Sequence, residues 1–142
     1  MKLFDCTLYY DEDLILEARL NILNKYFDKF IICEVKYTHS GEKKKLNLDI
    51  KNFSDFKNKI IYLTVQNEPK NIIYDLNRND NFEDPKNWRA NAVKRIAYQR
   101  NSLLEAVHQL ADDDDFIFYS DNDEIPNMNK FDKFKETAKI IL

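Results

Sequence analysis

The sequence predicts an α/β fold in which a largely parallel β-sheet is flanked by helices. Short apolar runs of β-favouring residues alternate along the chain with longer amphipathic stretches, which is the order found in βαβ units. The run at 30–35 is almost continuously apolar, as in strands that are buried on both faces of a parallel sheet. With 142 residues, 44% of them hydrophobic, the chain is expected to form one domain with a real core.

Each element rests on a local signal. Strands are predicted where aromatic and β-branched residues concentrate: 2–9, 30–35, 60–65 and 116–120. Helices are predicted over four stretches: 13–27, 52–58, 88–110 and 129–139. The polar stretch 66–86 holds two of the three prolines and is predicted to be mostly loop. The last residues, 140–142, resemble the start of a further strand, so the sheet is expected to be incomplete at the C-terminus.

Composition excludes several classes of function. Twenty-two basic residues against 25 acidic ones give a net charge of −3, which argues against a nucleic-acid-binding surface. Gly41 is the only glycine, so any phosphate must be met by a metal or by basic side chains rather than by a glycine-rich loop. Neither a signal peptide nor an apolar run of about 20 residues occurs, which predicts a cytoplasmic protein without a membrane segment. Cys6 and Cys33 are expected to be buried thiols.

An acidic cluster, residues 120–126, directly follows the fourth predicted strand. Ligands of parallel sheets bind beyond the carboxyl ends of the strands, so these side chains are candidates for a site. If the chain turns there, Asp121 and Asp123 can face one cation, and oxygen ligands suit Mg²⁺ or Mn²⁺. A polar turn that only caps the strand is the alternative. The acidic run 112–115 precedes the strand and is interpreted as a solvated loop.

Three arginines fall among apolar residues on helical wheels, where an unpaired guanidinium would be costly. Arg100 is expected to face either a diphosphate, the acidic cluster or a structural partner, whereas Arg89 and Arg19 are expected to make structural ion pairs. Glu34, after the second strand, either accepts hydrogen bonds from a ribose or base or is a simple strand-end carboxylate. The stripe around Arg100 contains Val93, Ile96, Ala97, Leu104, Val107 and Ala111.

Ordered motifs between residues 4 and 126 resemble those of glycosyltransferase family 17, the family of the N-acetylglucosaminyltransferase that adds bisecting GlcNAc. The motifs are Phe4-Asp5-Cys6, Asp11-Glu12-x-x-x-Leu16-Glu17-x-Arg19-Leu20, Phe30-Ile31-Ile32-x-Glu34, Thr38-x-Ser40-Gly41, Gln99-Arg100-Asn101-x-Leu103 and Ser120-Asp121-Asn122-Asp123-Glu124-Ile125-Pro126.

The resemblance implies a GT-A-like, Rossmann-like fold and transfer of a sugar from UDP-GlcNAc to a glycan acceptor, with Mn²⁺ or Mg²⁺ as cofactor. Asp121 and Asp123 match the family's D-x-D motif and would hold the metal. Glu34, Arg100 and Asn122 would then contact the donor. By resemblance, transfer inverts the anomeric centre and needs a carboxylate base. The base is unassigned, and Glu124 is only a candidate because it lies near the acidic pair.

The resemblance covers the donor-binding part of such an enzyme, so residues 1–142 are expected to form a single truncated domain. Such a chain would bind the donor but transfer sugar poorly by itself. Its unfinished sheet would leave an exposed edge, which favours a homodimer. Two other hypotheses use the same residues: a metal-dependent phosphohydrolase and a non-catalytic donor-binding module.

Overall fold

The computed structural model describes residues 1–73 and 85–131 and contains a four-stranded sheet. Neighbouring strands run parallel throughout, in the order β3-β2-β1-β4. The predicted α/β architecture with a parallel sheet is therefore confirmed. The strands are β1 (Leu3–Tyr9), β2 (Lys29–Val35), β3 (Ile60–Val65) and β4 (Phe116–Tyr119).

Both faces of the sheet are covered, because alternate side chains of each strand point to opposite sides. One face packs on helix α1 (Asp13–Leu23), and the other on helix α2 (Pro85–Leu110). Cys6 and Cys33 lie on the α2 face as free, buried thiols, as predicted, and burial raises the pKa of each to about 12. Within the described residues, neither helix is long and apolar enough to cross a membrane.

Helix α1 ends at Leu23, four residues before the predicted end. Phe27 leaves the helical path and packs edge-on against Phe118 of β4, with ring centroids 5.1 Å apart. Asp28 then pairs with β1, since its amide donates to the carbonyl of Leu3 and its carboxylate accepts from the Leu3 amide. Core packing of an aromatic side chain therefore overrides the helical pattern of these residues.

Other elements differ from prediction in detail. The short helix predicted at 52–58 is a 3₁₀ segment, Ile50–Phe56, and a second 3₁₀ segment spans Met128–Lys130. Helix α2 begins at Pro85, a residue type that suits the first helical turn because it lacks an amide hydrogen to satisfy. Residues 74–84 of the predicted loop, and most of the predicted helix at 129–139 with the strand at 140–142, lie outside the described residues.

The buried face of α2 is rotated away from the predicted stripe. Leu103 and the polar Gln99 are buried, whereas Val93 and Leu104 are 58% and 43% exposed. Val107 and Ala111 of that stripe do pack against the sheet, as predicted, but the stripe was centred on Arg100 and therefore left out Leu103. Asn91, also buried, holds the helix by hydrogen bonds to the backbone amide and carbonyl of Ile73.

That rotation corrects the positions of two arginines. Arg100 lies at the edge of the buried face, not at its centre, with 48% of its side chain exposed. Arg89 is exposed and forms no ion pair within residues 1–73 and 85–131, so the structural pair predicted for it is not found there.

The chain reverses its direction of travel across the sheet at β1. Strands β2 and β3 are added on one side of β1, and β4 on the other. At such a switch point the loops that follow neighbouring strands diverge and leave a crevice at the carboxyl ends. The fold therefore places the loops after β1, β2 and β4 around one opening.

Candidate functional site

A cavity of about 830 Å³ opens at this carboxyl edge of the sheet. Its wall combines the ends of β1 and β2 and the loops after them, part of α2, and the loop after β4. Four of the predicted site residues line it together: Arg100, Asp121, Asn122 and Asp123. The fold thus brings α2 and the acidic cluster to one place, which is one of the positions predicted for Arg100.

The acidic loop, defined here as residues 120–124, turns immediately after β4. The amide of Glu124 donates to the carbonyl of Asp121 at 3.0 Å, and Ser120 Oγ donates to the carbonyl of Glu124 at 2.7 Å. Asn122 is buried in the turn, while Asp121 and Asp123 are exposed and face the cavity. The turn therefore presents both carboxylates to one space, which an extended strand would not do.

Arg19 supports this loop from the interior. Its Nε and Nη2 each donate to one oxygen of Asp5 at 2.8 Å, and both side chains are almost completely buried. The structural ion pair predicted for Arg19 is confirmed. Three backbone carbonyls of the acidic loop and the Ser120 hydroxyl complete its hydrogen bonds.

Arg100 of α2 also lines the cavity and approaches the acidic loop. Its Nη2 lies 3.8 Å from Asp121 Oδ1, and its guanidinium lies over the Tyr119 ring, 5.6 Å from the centroid. Burial raises the pKa of Tyr119, so the ring stays neutral beneath the cation. A half-exposed ion pair of this length contributes about 0–1 kcal/mol to stability, so the guanidinium can turn to another anion at little cost.

Glu34 lies at the carboxyl end of β2, but its carboxylate already has four partners. Lys44 Nζ and the Asn47 amide donate to Oε1 at 2.5 and 2.8 Å, and Tyr62 Oη and the Leu48 amide donate to Oε2 at 2.6 and 3.2 Å. Burial raises the pKa of Glu34, yet these hydrogen bonds outweigh it and hold the pKa below its usual value. The geometry favours the strand-end interpretation, in which Glu34 anchors the following segment, over a direct contact with a donor.

Glu124, the candidate base, is exposed and is not part of the cavity wall. Its carboxylate faces back toward the acidic loop, with Oε2 3.4 Å from the Asp121 amide. This position does not favour a role in deprotonating an acceptor in the cavity. The general base therefore stays unassigned.

Asp121 and Asp123 form the candidate metal site. Within residues 1–73 and 85–131, no three His, Cys, Asp or Glu side chains converge in a ready-made metal centre. A cation here would take two carboxylates and complete its coordination with phosphate and water oxygens, which is how Mg²⁺ is commonly held beside nucleotides. The donor set, two exposed carboxylates on one turn, fits a hard divalent cation.

The sequence interpretation gave no role to Gln99, although the motif containing it was noted. Gln99 is 4% exposed, lines the cavity, and its Oε1 has no hydrogen-bond partner among the described residues. Both polar atoms of the Asn122 side chain are likewise buried and unpartnered there. Buried polar groups without partners are rare and costly, so these two amides are candidates for hydrogen bonds to a ligand. Gln99 is a polar residue on the face of α2 that is buried. The helical wheel did not single it out, because it assigned a different face of the helix to the core.

Aromatic residues of the cavity were also missed. Tyr9, Tyr10 and Tyr37 line it from the ends of β1 and β2. Lys44 Nζ lies over the Tyr10 ring, 5.0 Å from its centroid, and links this wall to the Glu34 network. The cavity is thus acidic at the β4 loop and aromatic beside β1 and β2.

Comparison with known proteins identifies the family. The family model described as glycosyltransferase family 17 matches residues 1–140, nearly the whole chain. Neither the curated proteins nor the solved structures contain a match. The matched range includes both the acidic loop and the α2 residues that face it. With its parallel α/β sheet and a cavity at the carboxyl edge, the chain belongs to glycosyltransferase family 17.

Proposed function

We propose that this protein transfers N-acetylglucosamine from a UDP-sugar to a glycan acceptor, using Mn²⁺ or Mg²⁺ held by Asp121 and Asp123. Membership of the family makes it a glycosyltransferase. The observation that carries the finer proposal is that two exposed carboxylates and the Arg100 guanidinium line a single cavity, with Arg100 beside Asp121. Inversion of the anomeric centre and a GT-A-like fold are part of the proposal and rest on the resemblance.

The charges of the cavity support the need for a cation. Glu12, Asp121 and Asp123 line it, and Arg100 is the guanidinium among them. A nucleoside diphosphate adds further negative charge, so without a cation its phosphates would be repelled by the carboxylates. A bound divalent cation would neutralise both sides and stabilise the charge that develops on the leaving diphosphate.

The remaining residues have roles that follow from their positions. Arg100 turns from Asp121 to a phosphate oxygen, where a guanidinium makes strong charge-assisted hydrogen bonds. Asn122 and Gln99 supply amide groups that the protein itself leaves unpartnered. Tyr10 and Tyr37, which also line the cavity, offer flat apolar surface to the nucleoside.

Calorimetric titration of UDP into the protein tests this proposal. We expect binding with Mn²⁺ present and its loss with EDTA, and loss also in the double variant Asp121→Asn/Asp123→Asn. The matched control is Asp113→Asn/Asp114→Asn, an exposed acidic pair at the amino end of β4, which changes net charge equally and should bind UDP as the unaltered protein does.

Two outcomes would count against the proposal. UDP binding that is indifferent to metal would remove the role of the acidic pair. Release of phosphate from simple esters, with no sugar released or transferred from UDP-GlcNAc, would support the phosphohydrolase hypothesis instead.

A further inference from the structure

We propose that Arg19 is a positioning residue for the donor site: held by Asp5, its buried guanidinium fixes the acidic loop so that Asp121 and Asp123 face the cavity. The expected effect on UDP binding rests on the proposed function. The shape of the loop is a separate property and can be measured without any ligand.

The hydrogen bonds of Arg19 are divided unequally between its two neighbours. Two of the six go to Asp5, which is sufficient to neutralise the charge. The other four go to the acidic loop, more than a hundred residues away in sequence: three to the carbonyls of Asp121, Asn122 and Glu124, and one to Ser120 Oγ. Most of the hydrogen bonds that the guanidinium donates are therefore made to the acidic loop.

These contacts determine the direction of the loop's side chains. The carbonyls of Asp121, Asn122 and Glu124 all accept from one nitrogen, Nη1, at 2.9 to 3.2 Å, so they point inward to a common centre. Because peptide groups are rigid planes, fixing the carbonyls limits the directions of the Cα–Cβ bonds between them. With the carbonyls turned inward, the carboxylates of Asp121 and Asp123 lie on the cavity side.

The shape of arginine is essential to this arrangement. Its planar fork donates to Asp5, to Ser120 Oγ and to three carbonyls from fixed positions, whereas a lysine ammonium has three donors at one point. Asp5 balances the positive charge at close range, so the pair adds little net charge beneath the metal ligands. We therefore assign Arg19 a geometric effect on the acidic loop rather than an electrostatic one.

Experiment can separate the positioning role from a purely structural one. A buried ion pair can often be replaced by apolar residues without loss of stability, so the fold can be kept while the contacts to the loop are removed. The test variant is Asp5→Leu/Arg19→Met, which removes both charges together. Ser120→Ala is a milder variant that removes one acceptor of Arg19 and the hydroxyl that closes the turn onto Glu124. Leu23→Val is the control, since it perturbs the core cluster at the end of α1, to which residues 120–124 do not belong.

Two measurements are made on each variant. The first is amide hydrogen exchange at Glu124, whose amide closes the turn, relative to amides of β1. The second is the dissociation constant for UDP in the presence of Mn²⁺. In the double variant we expect faster exchange at Glu124 and affinity about 10- to 100-fold weaker, the range found when residues that orient metal ligands are changed. Ser120→Ala should show the same changes in smaller measure, and Leu23→Val neither.

Unchanged exchange at Glu124 and unchanged affinity in the double variant would overturn the inference. If that variant does not fold, Ser120→Ala decides: full protection and full affinity would contradict the positioning role. If the unaltered protein itself fails to bind UDP with Mn²⁺, the proposed function fails, while the exchange at Glu124 still shows whether Arg19 holds the loop.

Discussion

Arg100 and Asp121 are close enough to attract each other but remain half exposed, with 3.8 Å between Nη2 and Oδ1. A pair of this kind stabilises a fold weakly, and its members can exchange partners when a ligand arrives. Arg100 is therefore better placed to bind a ligand than to stabilise the core, which the sequence left open.

Replacing Arg100 separates these roles. For Arg100→Leu we expect a change of about 0.5 kcal/mol or less in the free energy of unfolding. Affinity for UDP with Mn²⁺ should fall about tenfold, which corresponds to about 1.4 kcal/mol and is typical of a lost charge-assisted hydrogen bond. Urea unfolding and calorimetry give the two values, and Arg100→Lys should recover part of the affinity. A large loss of stability with unchanged affinity would show that Arg100 is a structural residue.

Glu34 predicts an acid dependence of stability. Its pKa is held below the ordinary value of 4.5 in the folded state, so the ionised form stabilises the fold. That stabilisation is fully present above about pH 4.5 and is lost as the pH falls through the folded-state pKa, because the unfolded chain then binds more protons.

The variant Glu34→Gln tests this dependence by urea unfolding at several pH values. We expect it to be less stable than the unaltered protein near neutral pH by about 1–3 kcal/mol, and to lose less stability on acidification. Some acid dependence should remain, because backbone amides of Asp112 and Lys2 also lower the pKa of Asp115. Equal slopes for the two proteins between about pH 5 and pH 3 would contradict the role given to Glu34.

At the scale of the element, helix α2 gives two adjacent leucines opposite environments. Leu103 is fully buried against the sheet, and Leu104 is 43% exposed. Leu103→Ala should cost about 2–5 kcal/mol in the free energy of unfolding. Leu104→Ala should cost less than about 1 kcal/mol. The reverse order, which the sequence-based stripe implied, would show that the helix is rotated from the position described.

The strands were easier to predict than the faces of the helices. The bounds of β3 match the prediction because six apolar or β-branched residues stand between polar segments, and this signal is local. The buried face of α2 was not predictable in the same way. It includes Asn91 and Gln99, whose burial depends on a hydrogen bond to Ile73 and on the cavity, and both lie elsewhere in the fold.

At the scale of the whole molecule, the strand order determines the site. Placing β4 beside β1 brings the acidic loop onto Arg19 and Asp5, and places it across the cavity from the loop after β2. The sequence indicated that the carboxyl ends of the parallel strands would lie at one edge of the sheet, and hence that Asp121 and Asp123 were candidates for a site there. It could not indicate which strand β4 would join, because that choice depends on contacts between residues a hundred positions apart.

In the proposed function, a cation joins Asp121 and Asp123 to the diphosphate of the donor, and the linkage between Mn²⁺ binding and UDP binding is its sharpest test. If one cation contacts both, UDP must tighten Mn²⁺ binding by the same factor by which Mn²⁺ tightens UDP binding. Electron paramagnetic resonance of free Mn²⁺ measures the first factor, and calorimetry the second. The Asp121→Asn/Asp123→Asn protein corrects for Mn²⁺ that UDP binds in solution. We predict equal factors of tenfold or more in the unaltered protein and no coupling in the variant, whereas Mn²⁺ affinity that is the same with and without UDP would show that no cation joins the acidic pair to the diphosphate.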